Sequence, residues 1–291
     1  RNDEYLYISF MISISPQNTA IVVVWYNPTA QHIEHIKHYA DAVKQIYIID
    51  NSTQDNTHLA NEISNTTYIA NQKNTGIATA LNIGYLRAIQ DNHEWIISFD
   101  QDSYLSKDVL HKYMQLCNAC KIPNAEIFAP YPSYGNDLPV GNSIYEKRNC
   151  IITSGALMSA KTYLQIGRYR DDFFIDLVDD EFCLRAKRLQ KEIVMIRTII
   201  LEHHLGNGFI IVPIIHHKFV EHSALRHYYI IRNTLTIIRE YSEQRNYYRK
   251  QIHKRIKRLL LYDFKDKWKK IKMCLWGYYD YKHNNMNQFN H

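Results

Sequence analysis

The chain has 291 residues, of which 46% are hydrophobic and 22% charged, and this composition excludes an intrinsically disordered protein. The formal net charge is only +6, and no apolar run approaches the roughly 20 residues of a membrane-spanning helix. The five cysteines follow no regular spacing, which is typical of a reducing compartment, so we expect a cytoplasmic protein.

Strand-like and helix-like patterns alternate from Ala20 onward. The first predicted strand, residues 20–26, is a β-branched run without polar alternation, which indicates a strand covered on both faces. Helical spacing of apolar residues separates the strands that follow, most clearly over residues 76–91. Helices between successive short strands predict a parallel, doubly wound α/β sheet. The further strands predicted in this half are residues 45–49, 68–70 and 95–99.

The chain is less regular after residue 122. Residues 123–149 are rich in Pro and Gly and predict long loops around one short strand, residues 127–129. Order returns over residues 150–158, and a helix over residues 180–189 precedes a strand over residues 193–201. We divide the chain into an N-terminal extension (residues 1–17), an α/β domain (residues 18–222) and a C-terminal helical region (residues 223–291).

Two carboxylates follow the strand at residues 95–99: Asp100 and Asp102, with Gln101 between them. Ligands of an open α/β sheet lie outside the carboxyl ends of the strands. Mg²⁺ and Mn²⁺ are usually held by one or two carboxylates together with substrate phosphates. The pattern therefore predicts a divalent cation beside a phosphate-bearing substrate, and a polar turn is the alternative.

Positive charge is concentrated near the C-terminus, because residues 245–272 contain twelve Lys or Arg and two Asp, a net charge of +10. A basic amphipathic helix with Trp and Phe on its apolar side is typical of an element that binds an anionic membrane surface. The alternative is a solvated helix pair that packs on the main domain. The remaining residues sum to −4 and supply no second basic surface, so we expect no nucleic-acid binding. The apolar stripes are Ile252, Ile256, Leu259 and Leu260, then Leu261, Phe264, Trp268, Ile271 and Leu275.

Several short polar segments, each different, follow one another along residues 19–210. They are Tyr26-Asn27, Asp50-Asn51-Ser52, Asn74-x-Gly76 with Asn82-x-Gly84, Asp100-Gln101-Asp102-Ser103, Ser154-Gly155, the segment from Phe174 to Arg185, and His203-x-Leu205-Gly206. In this order they resemble the family 2 glycosyltransferases of GT-A fold, and most of all the bacterial rhamnosyltransferases. The resemblance implies a Rossmann-like α/β fold, with a mostly parallel central sheet and helices on both faces, plus the C-terminal helical basic appendage.

The resemblance also implies which residues bind the nucleotide sugar. Tyr26, Asn27 and Asp50 take the base and ribose. Asn74 and Gly76 open a helix whose backbone N–H groups face the pyrophosphate. The remaining residues of this predicted site are Asp100, Gln101, Ser154 and Gly155.

The family's catalytic base is an acid five residues before the Leu of a Leu-Arg pair, which is Leu184 in this chain. Asp179 is therefore the predicted base, and its neighbour Asp180 is the alternative. Glu181 occupies the second acidic position of the motif, and Asp176 is a further candidate. The metal ligands implied by the resemblance are Asp100, Asp102 and His203, with His204 as the alternative to His203.

The reaction implied by the resemblance is an inverting, metal-dependent transfer from a nucleoside-diphosphate sugar, with Mn²⁺ or Mg²⁺ as cofactor. The favoured donor is dTDP-rhamnose, and galactofuranosyl, glucosyl and N-acetylhexosaminyl donors are the alternatives. We expect a glycan or polyprenyl-diphosphate-linked acceptor at the anionic inner face of the cell membrane.

Two other classes of protein are alternatives to a glycosyltransferase. A nucleotidyltransferase normally carries a Gly-rich basic loop after the first strand, where this chain has Tyr26-Asn-Pro-Thr. A non-catalytic sugar-nucleotide-binding scaffold differs from an enzyme in its lack of turnover.

Overall fold

The computed structural model describes residues 13–134, 138–202, 209–212 and 217–290, with the backbone alone for residues 209–212 and 217–220. The strands are β1 (Thr19–Trp25), β2 (Gln45–Asp50), β3 (Thr66–Ala70), β4 (Trp95–Asp100), β5 (Ala125–Ser133), β6 (Tyr145–Arg148), β7 (Leu157–Ser159), β8 (Glu192–Glu202), β9 (Phe209–Val212) and β10 (His217–Val220). The helices are α1 (Ala30–Lys37), α2 (Thr57–Ala60), α3 (Ile77–Gln90), α4 (Lys107–Ala119), α5 (Ala160–Ile166), α6 (Val178–Arg188), α7 (Ala224–Glu240), α8 (Arg245–Leu261) and α9 (Lys267–Lys282).

Eight strands form one sheet in the order β3-β2-β1-β4-β7-β5-β8-β6. β1 pairs in parallel with β2 and β4, β2 with β3, and β5 with β8, whereas β6 and β7 pair antiparallel with their neighbours. Strands β9 and β10 form a separate antiparallel pair. The mostly parallel α/β sheet predicted from the sequence is confirmed. Its strand order reverses between β1 and β4, which is where ligands bind in open α/β sheets.

The core lies on both faces of this sheet. Ile21 and Val23 of β1 belong to one hydrophobic cluster, while Val22 and Val24 belong to the cluster on the other face. All seven residues of β1 are buried, as the run of β-branched residues predicts. α3 packs closely on β1, because a Cβ on Gly84 would lie 2.3 Å from Cγ1 of Val22. Gly84 therefore sets how closely this helix approaches the sheet.

The segment after α4 is more ordered than the sequence predicts. Residues 123–149 were expected to be loops around strand 127–129, but β5 extends over nine residues and β6 adds a further strand. Pro130 and Pro132 of β5 lie beyond the residues that pair with β7, and the pairing of β5 with β8 shifts register between Pro130 and Tyr131. In residues 150–158 the only regular structure is the start of β7.

The C-terminal helices pack on the sheet domain. One hydrophobic cluster contains residues of β1 together with Ile237 of α7, Tyr241 just after α7, and Tyr248 of α8. α9 lies against α7, where the Tyr228 hydroxyl donates to Asp280 Oδ2 at 2.6 Å. The first half of the C-terminal region is thus part of the main core, and the boundary at residue 223 stays a prediction. Among the described residues, no helix combines the length and apolarity needed to cross a bilayer.

Candidate active site

A cavity of about 570 Å³ opens at the carboxyl ends of β1 and β4, where the strand order reverses. Its walls also include the first turn of α6 and one residue of α7. The cavity therefore joins predicted site residues from separate segments of the chain. The polar side chains that line it belong to Tyr26, Asn51, Asn74, Asp100, Gln101, Asp102, Thr153, Asp176, Asp179, Asp180 and Arg226.

The two carboxylates after β4 both line this cavity. The backbone N–H of Asp100 donates to Ser154 Oγ at 3.2 Å, and the Ser103 hydroxyl donates to Asp102 Oδ1 at 3.3 Å. Within the described part of the chain, no three His, Cys, Asp or Glu side chains cluster as a metal site. The predicted ligand His203 and its alternative His204 lie outside the described residues.

Gln101 ties the end of β1 to the loop after β4. Its side-chain amide accepts from the backbone N–H of Tyr26 at 2.8 Å and donates to the Tyr26 carbonyl at 3.2 Å. Tyr26 is 51% exposed and lines the cavity. Asn27 has a φ of 50°, and its backbone N–H donates to Ser52 Oγ. Gln101 thus holds the Tyr26 backbone at the cavity, whereas Asn27, which does not line the cavity, is joined to the loop after β2.

Asp50 is fully buried and lies behind the cavity wall rather than on it. Its Oδ1 accepts from the backbone N–H and hydroxyl of Ser52, and its Oδ2 accepts from Asn56 and Tyr68. This carboxylate organises the loop after β2 in the present conformation. Its predicted contact with the nucleotide stays a prediction, and the neighbouring Asn51 is the residue that lines the cavity.

Asn74 and Gly76 form the turn that begins α3. Asn74 Oδ1 accepts from the Gly76 N–H at 3.0 Å, and the Ile77 N–H donates to the Phe174 carbonyl at 2.8 Å. Gly76 has a φ of 85°, and a Cβ there would lie 2.6 Å from the Phe174 carbonyl oxygen. Two N–H groups at this helix start are therefore already bonded within the protein. The glycine is needed because residue 174 packs directly against it.

Ser154 and Gly155 support the cavity from behind β4. Ser154 is buried and accepts the Asp100 N–H, while Thr153 is the residue of this segment that lines the cavity. Gly155 has a φ of 79°, and a Cβ there would lie 2.5 Å from Cγ of Pro130. The structure therefore explains Gly155 by backbone conformation and close packing.

The segment that leads into α6 has a strained backbone. The φ values of Phe174, Asp176 and Leu177 are 62°, 65° and 60°. Residues other than Gly rarely adopt such positive values. The buried Asn233 of α7 holds this segment, because its Nδ2 donates to the carbonyls of residues 173, 175 and 176 at 2.9, 3.0 and 2.9 Å. Arg232 donates to the Asp172 carbonyl. α7 thus fixes the segment that positions the acidic helix.

Asp179 and Asp180 stand at the start of α6 and both line the cavity. Burial, followed by the nearby Asp180 charge, raises the pKa of Asp179 to about 8. Burial also raises the pKa of Asp180, whose Oδ1 accepts a 2.7 Å hydrogen bond from the Tyr248 hydroxyl. Asp179 Oδ1 accepts the Asp180 N–H at 2.9 Å. Asp180 is therefore tied to α8, and the raised pKa of Asp179 suits proton exchange near neutral pH.

Glu181 lies on a different face of α6 and does not line the cavity. Its carboxylate is buried, pairs with Arg185 at 2.8 Å and accepts the Tyr241 hydroxyl at 2.7 Å. These contacts join α6 to the end of α7. The structure therefore gives Glu181 a packing role and separates it from the two acids that precede it.

Sequence reasoning missed the cavity residues that come from the C-terminal region. Arg226 of α7 lines the cavity and pairs with Asp176 at 2.5 and 3.1 Å. Asn233 and Tyr248 hold the acidic segment through buried hydrogen bonds. A signal was present in the sequence, since α7 places polar residues such as Asn233 within an otherwise apolar stretch. Their partners lie about 50 to 70 positions earlier, so a local pattern does not reveal them.

Residues 21–122 match the family described as glycosyl transferase family 2. The chain carries a family 2 glycosyltransferase domain. It is also 28% identical over 246 residues to the dTDP-rhamnosyl transferase RfbF of Shigella flexneri, an alignment that covers 77% of this chain and 80% of the relative. The resemblance drawn from the sequence is confirmed, and the protein is a glycosyltransferase enzyme.

One solved structure supports the fold of this glycosyltransferase. GalNAc-T7, solved with UDP, GalNAc and Mn²⁺, aligns with a TM-score of 0.52 at 10% identity over 64% of this chain. The chain spans less than half of that protein, 44% of its length. TarS 1–349 of S. aureus aligns with a TM-score of 0.49 at 13% identity, over 92% of this chain and 73% of the TarS chain. The predicted GT-A fold is confirmed, with helices added at the C-terminus.

Proposed function

We propose that this glycosyltransferase moves a sugar from a nucleoside-diphosphate donor to an acceptor hydroxyl, with inversion at the anomeric carbon. The observation that carries the proposal is that one cavity is lined by Asp100 and Asp102 from the sheet and by Asp179 from α6. Rhamnose is the favoured sugar and dTDP-rhamnose the favoured donor, because the relative that covers most of the chain is a dTDP-rhamnosyl transferase. Galactofuranose, glucose and N-acetylhexosamine are the alternative sugars.

We assign a divalent cation, Mn²⁺ or Mg²⁺, to Asp100 and Asp102. The donor set fits such an ion, since two carboxylates in a cavity leave room for phosphate oxygens as further ligands. His203 is the proposed third protein ligand. When bound, the cation stabilises negative charge on the departing nucleoside diphosphate. The protein then needs no proton donor for the leaving group.

Asp179 is the proposed base. It accepts the proton of the acceptor hydroxyl as that oxygen attacks the anomeric carbon. A pKa raised to about 8 keeps the carboxylate basic enough to take this proton near neutral pH. One base without a covalent nucleophile gives inversion. Asp180 hydrogen-bonds to Tyr248, and we assign it to holding the first turn of α6.

We further propose that the acceptor is a glycan of a growing surface polysaccharide, linked to polyprenyl diphosphate, and that the enzyme binds peripherally to the anionic cytoplasmic face of the membrane. Phe264 and Trp268, at the turn before α9 and on its first turn, are 73% and 81% exposed, and Leu275 of α9 is 64% exposed. Lysines 265, 267, 269 and 272 lie among them. Exposed aromatic and aliphatic side chains between lysines are the composition of a membrane-surface element.

The donor is tested by calorimetry of dTDP-rhamnose with Mn²⁺ and again with EDTA. We expect binding that is lost in EDTA and in Asp102→Asn. The matched control is Asp108→Asn, because Asp108 is exposed on the first turn of α4 and lies outside the cavity. Equal affinity with and without EDTA contradicts the cation. Donor binding without transfer to any acceptor favours the non-catalytic scaffold.

A further inference from the structure

One wall of the candidate active-site cavity is apolar. Ile77 begins α3, and Ile175 and Leu177 belong to the strained segment before α6; all three are half-buried and line the cavity. The Ile77 N–H donates to the Phe174 carbonyl, so residue 77 contacts the peptide group that joins residues 174 and 175. The apolar wall formed by these three residues contrasts with the carboxylates that also line the cavity.

The polar groups around this wall already have partners within the protein. Besides the bond at the start of α3, Asn233 donates to the carbonyls of Ile175 and Asp176 at 3.0 and 2.9 Å. The Asp176 carboxylate is paired with Arg226 at 2.5 and 3.1 Å. A hydroxyl against the wall gives up its hydrogen bonds to water and meets groups that are already occupied, which is unfavourable. The wall therefore favours a methyl group over a hydroxyl.

The apolar wall is next to the position of the donor sugar. In the proposed reaction the anomeric carbon lies between the diphosphate at Asp100 and Asp102 and the acceptor oxygen at Asp179. Leu177 is two residues before Asp179, so their Cα atoms are at most about 7.6 Å apart. A hexose whose anomeric carbon is near Asp179 therefore brings its other carbons beside this segment. In rhamnose every ring carbon carries an oxygen, and the C6 methyl is the one apolar group.

We propose that the apolar wall binds the C6 methyl of a 6-deoxyhexose donor and selects against donors that carry a 6-hydroxyl. This inference rests on the proposed function, because it names the residues that select the sugar at the same site. The thymine methyl is the other methyl group of dTDP-rhamnose, and the place of the wall next to Asp179 selects the methyl of the sugar.

The test compares dTDP-L-rhamnose with dTDP-L-mannose, which differs only by a hydroxyl at C6. We expect the wild type to favour dTDP-L-rhamnose by about 10- to 100-fold in kcat/KM, which is what an apolar pocket achieves against an added hydroxyl. In Ile77→Thr and Ile175→Thr this ratio falls toward one, because Thr removes apolar surface and supplies a hydrogen-bonding partner. Ile83→Thr is the matched control, since Ile83 is half-buried on the same helix outside the cavity. It keeps the wild-type ratio.

A ratio close to one in the wild type, or a ratio in both cavity variants equal to that of Ile83→Thr, overturns the proposal. Because both donors are measured on the same sample, partial unfolding of a variant lowers both rates and leaves the ratio unchanged. Calorimetry of dTDP, which has no sugar, should give the same affinity for the wild type, Ile77→Thr and Ile175→Thr. A loss of dTDP affinity equal to the loss for dTDP-L-rhamnose assigns the wall to the nucleotide and also overturns the proposal.

Failure of the proposed donor is recognised separately. If dTDP-L-rhamnose is not a donor, the same comparison is made between UDP-glucose, UDP-galactofuranose or UDP-N-acetylglucosamine and the 6-deoxy analogue of each. Preference for a 6-deoxy analogue that is lost in Ile77→Thr supports the apolar wall and refutes only the favoured donor. Preference for the 6-hydroxy sugar overturns the apolar wall and leaves the glycosyl transfer intact. A protein that binds no member of any pair contradicts both.

Discussion

Replacing Asn233 with Ala is expected to slow glycosyl transfer although Asn233 does not line the active-site cavity. The Asn233 side chain is fully buried and donates to the carbonyls of Phe173, Ile175 and Asp176. Its two N–H hydrogens satisfy about two of these acceptors at a time. Ala removes these bonds; the Phe173 carbonyl keeps the Ile175 N–H as donor, and the carbonyls of Ile175 and Asp176 lose the Asn233 donor.

The magnitude follows from two opposing contributions. Each buried carbonyl left unpaired costs about 1–3 kcal/mol, so the loss amounts to about 2–6 kcal/mol. The positive φ angles of residues 174, 176 and 177 store about 1–2 kcal/mol each, about 3–6 kcal/mol in total. Because the two amounts are similar, the segment relaxes once Asn233 is removed. A displacement of about 1 Å at Asp179 reduces kcat by about 100-fold.

The assay combines kcat with hydrogen exchange over residues 172–178. Asn233→Ala is expected to lower kcat and to accelerate exchange in this segment. The control is Thr236→Val, which removes a buried hydroxyl that donates to the Arg232 carbonyl of the same helix and to Met286 Sδ, and not to the segment before α6. It should cost about 1 kcal/mol of stability while kcat is retained. An unchanged kcat and unchanged exchange in Asn233→Ala refute the reasoning.

Three further predictions concern single residues. Transfer by the wild type should rise from pH 6 and level off only above about pH 9, because Asp179, with its pKa raised to about 8, must be ionised to act. Because the pKa of Asp179 is higher in the folded than in the unfolded protein, the folded state loses stability as pH rises from about 4 through 8. Asp179→Asn should therefore raise Tm more at pH 9 than at pH 5. An equal shift in Tm at both pH values argues against the raised pKa. Glu181→Gln should lose about 1–3 kcal/mol in urea unfolding and keep its kcat, since its partners are Arg185 and Tyr241; a 100-fold loss of kcat gives it a catalytic role instead. Gly155→Ala should lower the free energy of unfolding by about 2–5 kcal/mol, because Ala disfavours the positive φ and its Cβ would clash with Pro130. A urea unfolding curve like that of the wild type contradicts this prediction.

The first half of the fold was predictable because local chemistry determines it. Buried β-branched runs can form only covered strands, and β1, β2 and β4 appear within one or two residues of their predicted ends. The carboxyl ends of such strands meet at one edge, which is why the sequence predicts that Asp100 and Asp102 lie there, and both line the cavity. The resemblance led to Asp179, which lines the same cavity and whose role as base stays a proposal. The strained backbone before Asp179 was not predicted.

The remaining features depend on contacts between distant segments. β5 accommodates Pro130 and Pro132 beyond the end of β7 and beside a register shift in its pairing with β8, which residues 123–149 alone do not reveal. Asp50 looks like a free ligand in the sequence, yet Asn56 and Tyr68 occupy it in the folded protein. The C-terminal basic region was interpreted as a membrane-surface element, with a solvated helix pair packed on the main domain as the alternative. In the structure Lys270 is buried against Asp263, and Arg255 faces a cavity.

The central claim is that Asp179 acts as the base of a glycosyltransferase in the cavity at the end of β4. The most direct measurement is the rate of transfer from dTDP-rhamnose by Asp179→Asn, with donor affinity measured on the same sample. We predict that transfer falls by about 10²–10⁴-fold while donor affinity is unchanged. Transfer at the wild-type rate by Asp179→Asn, together with an inactive Asp180→Asn, contradicts the account.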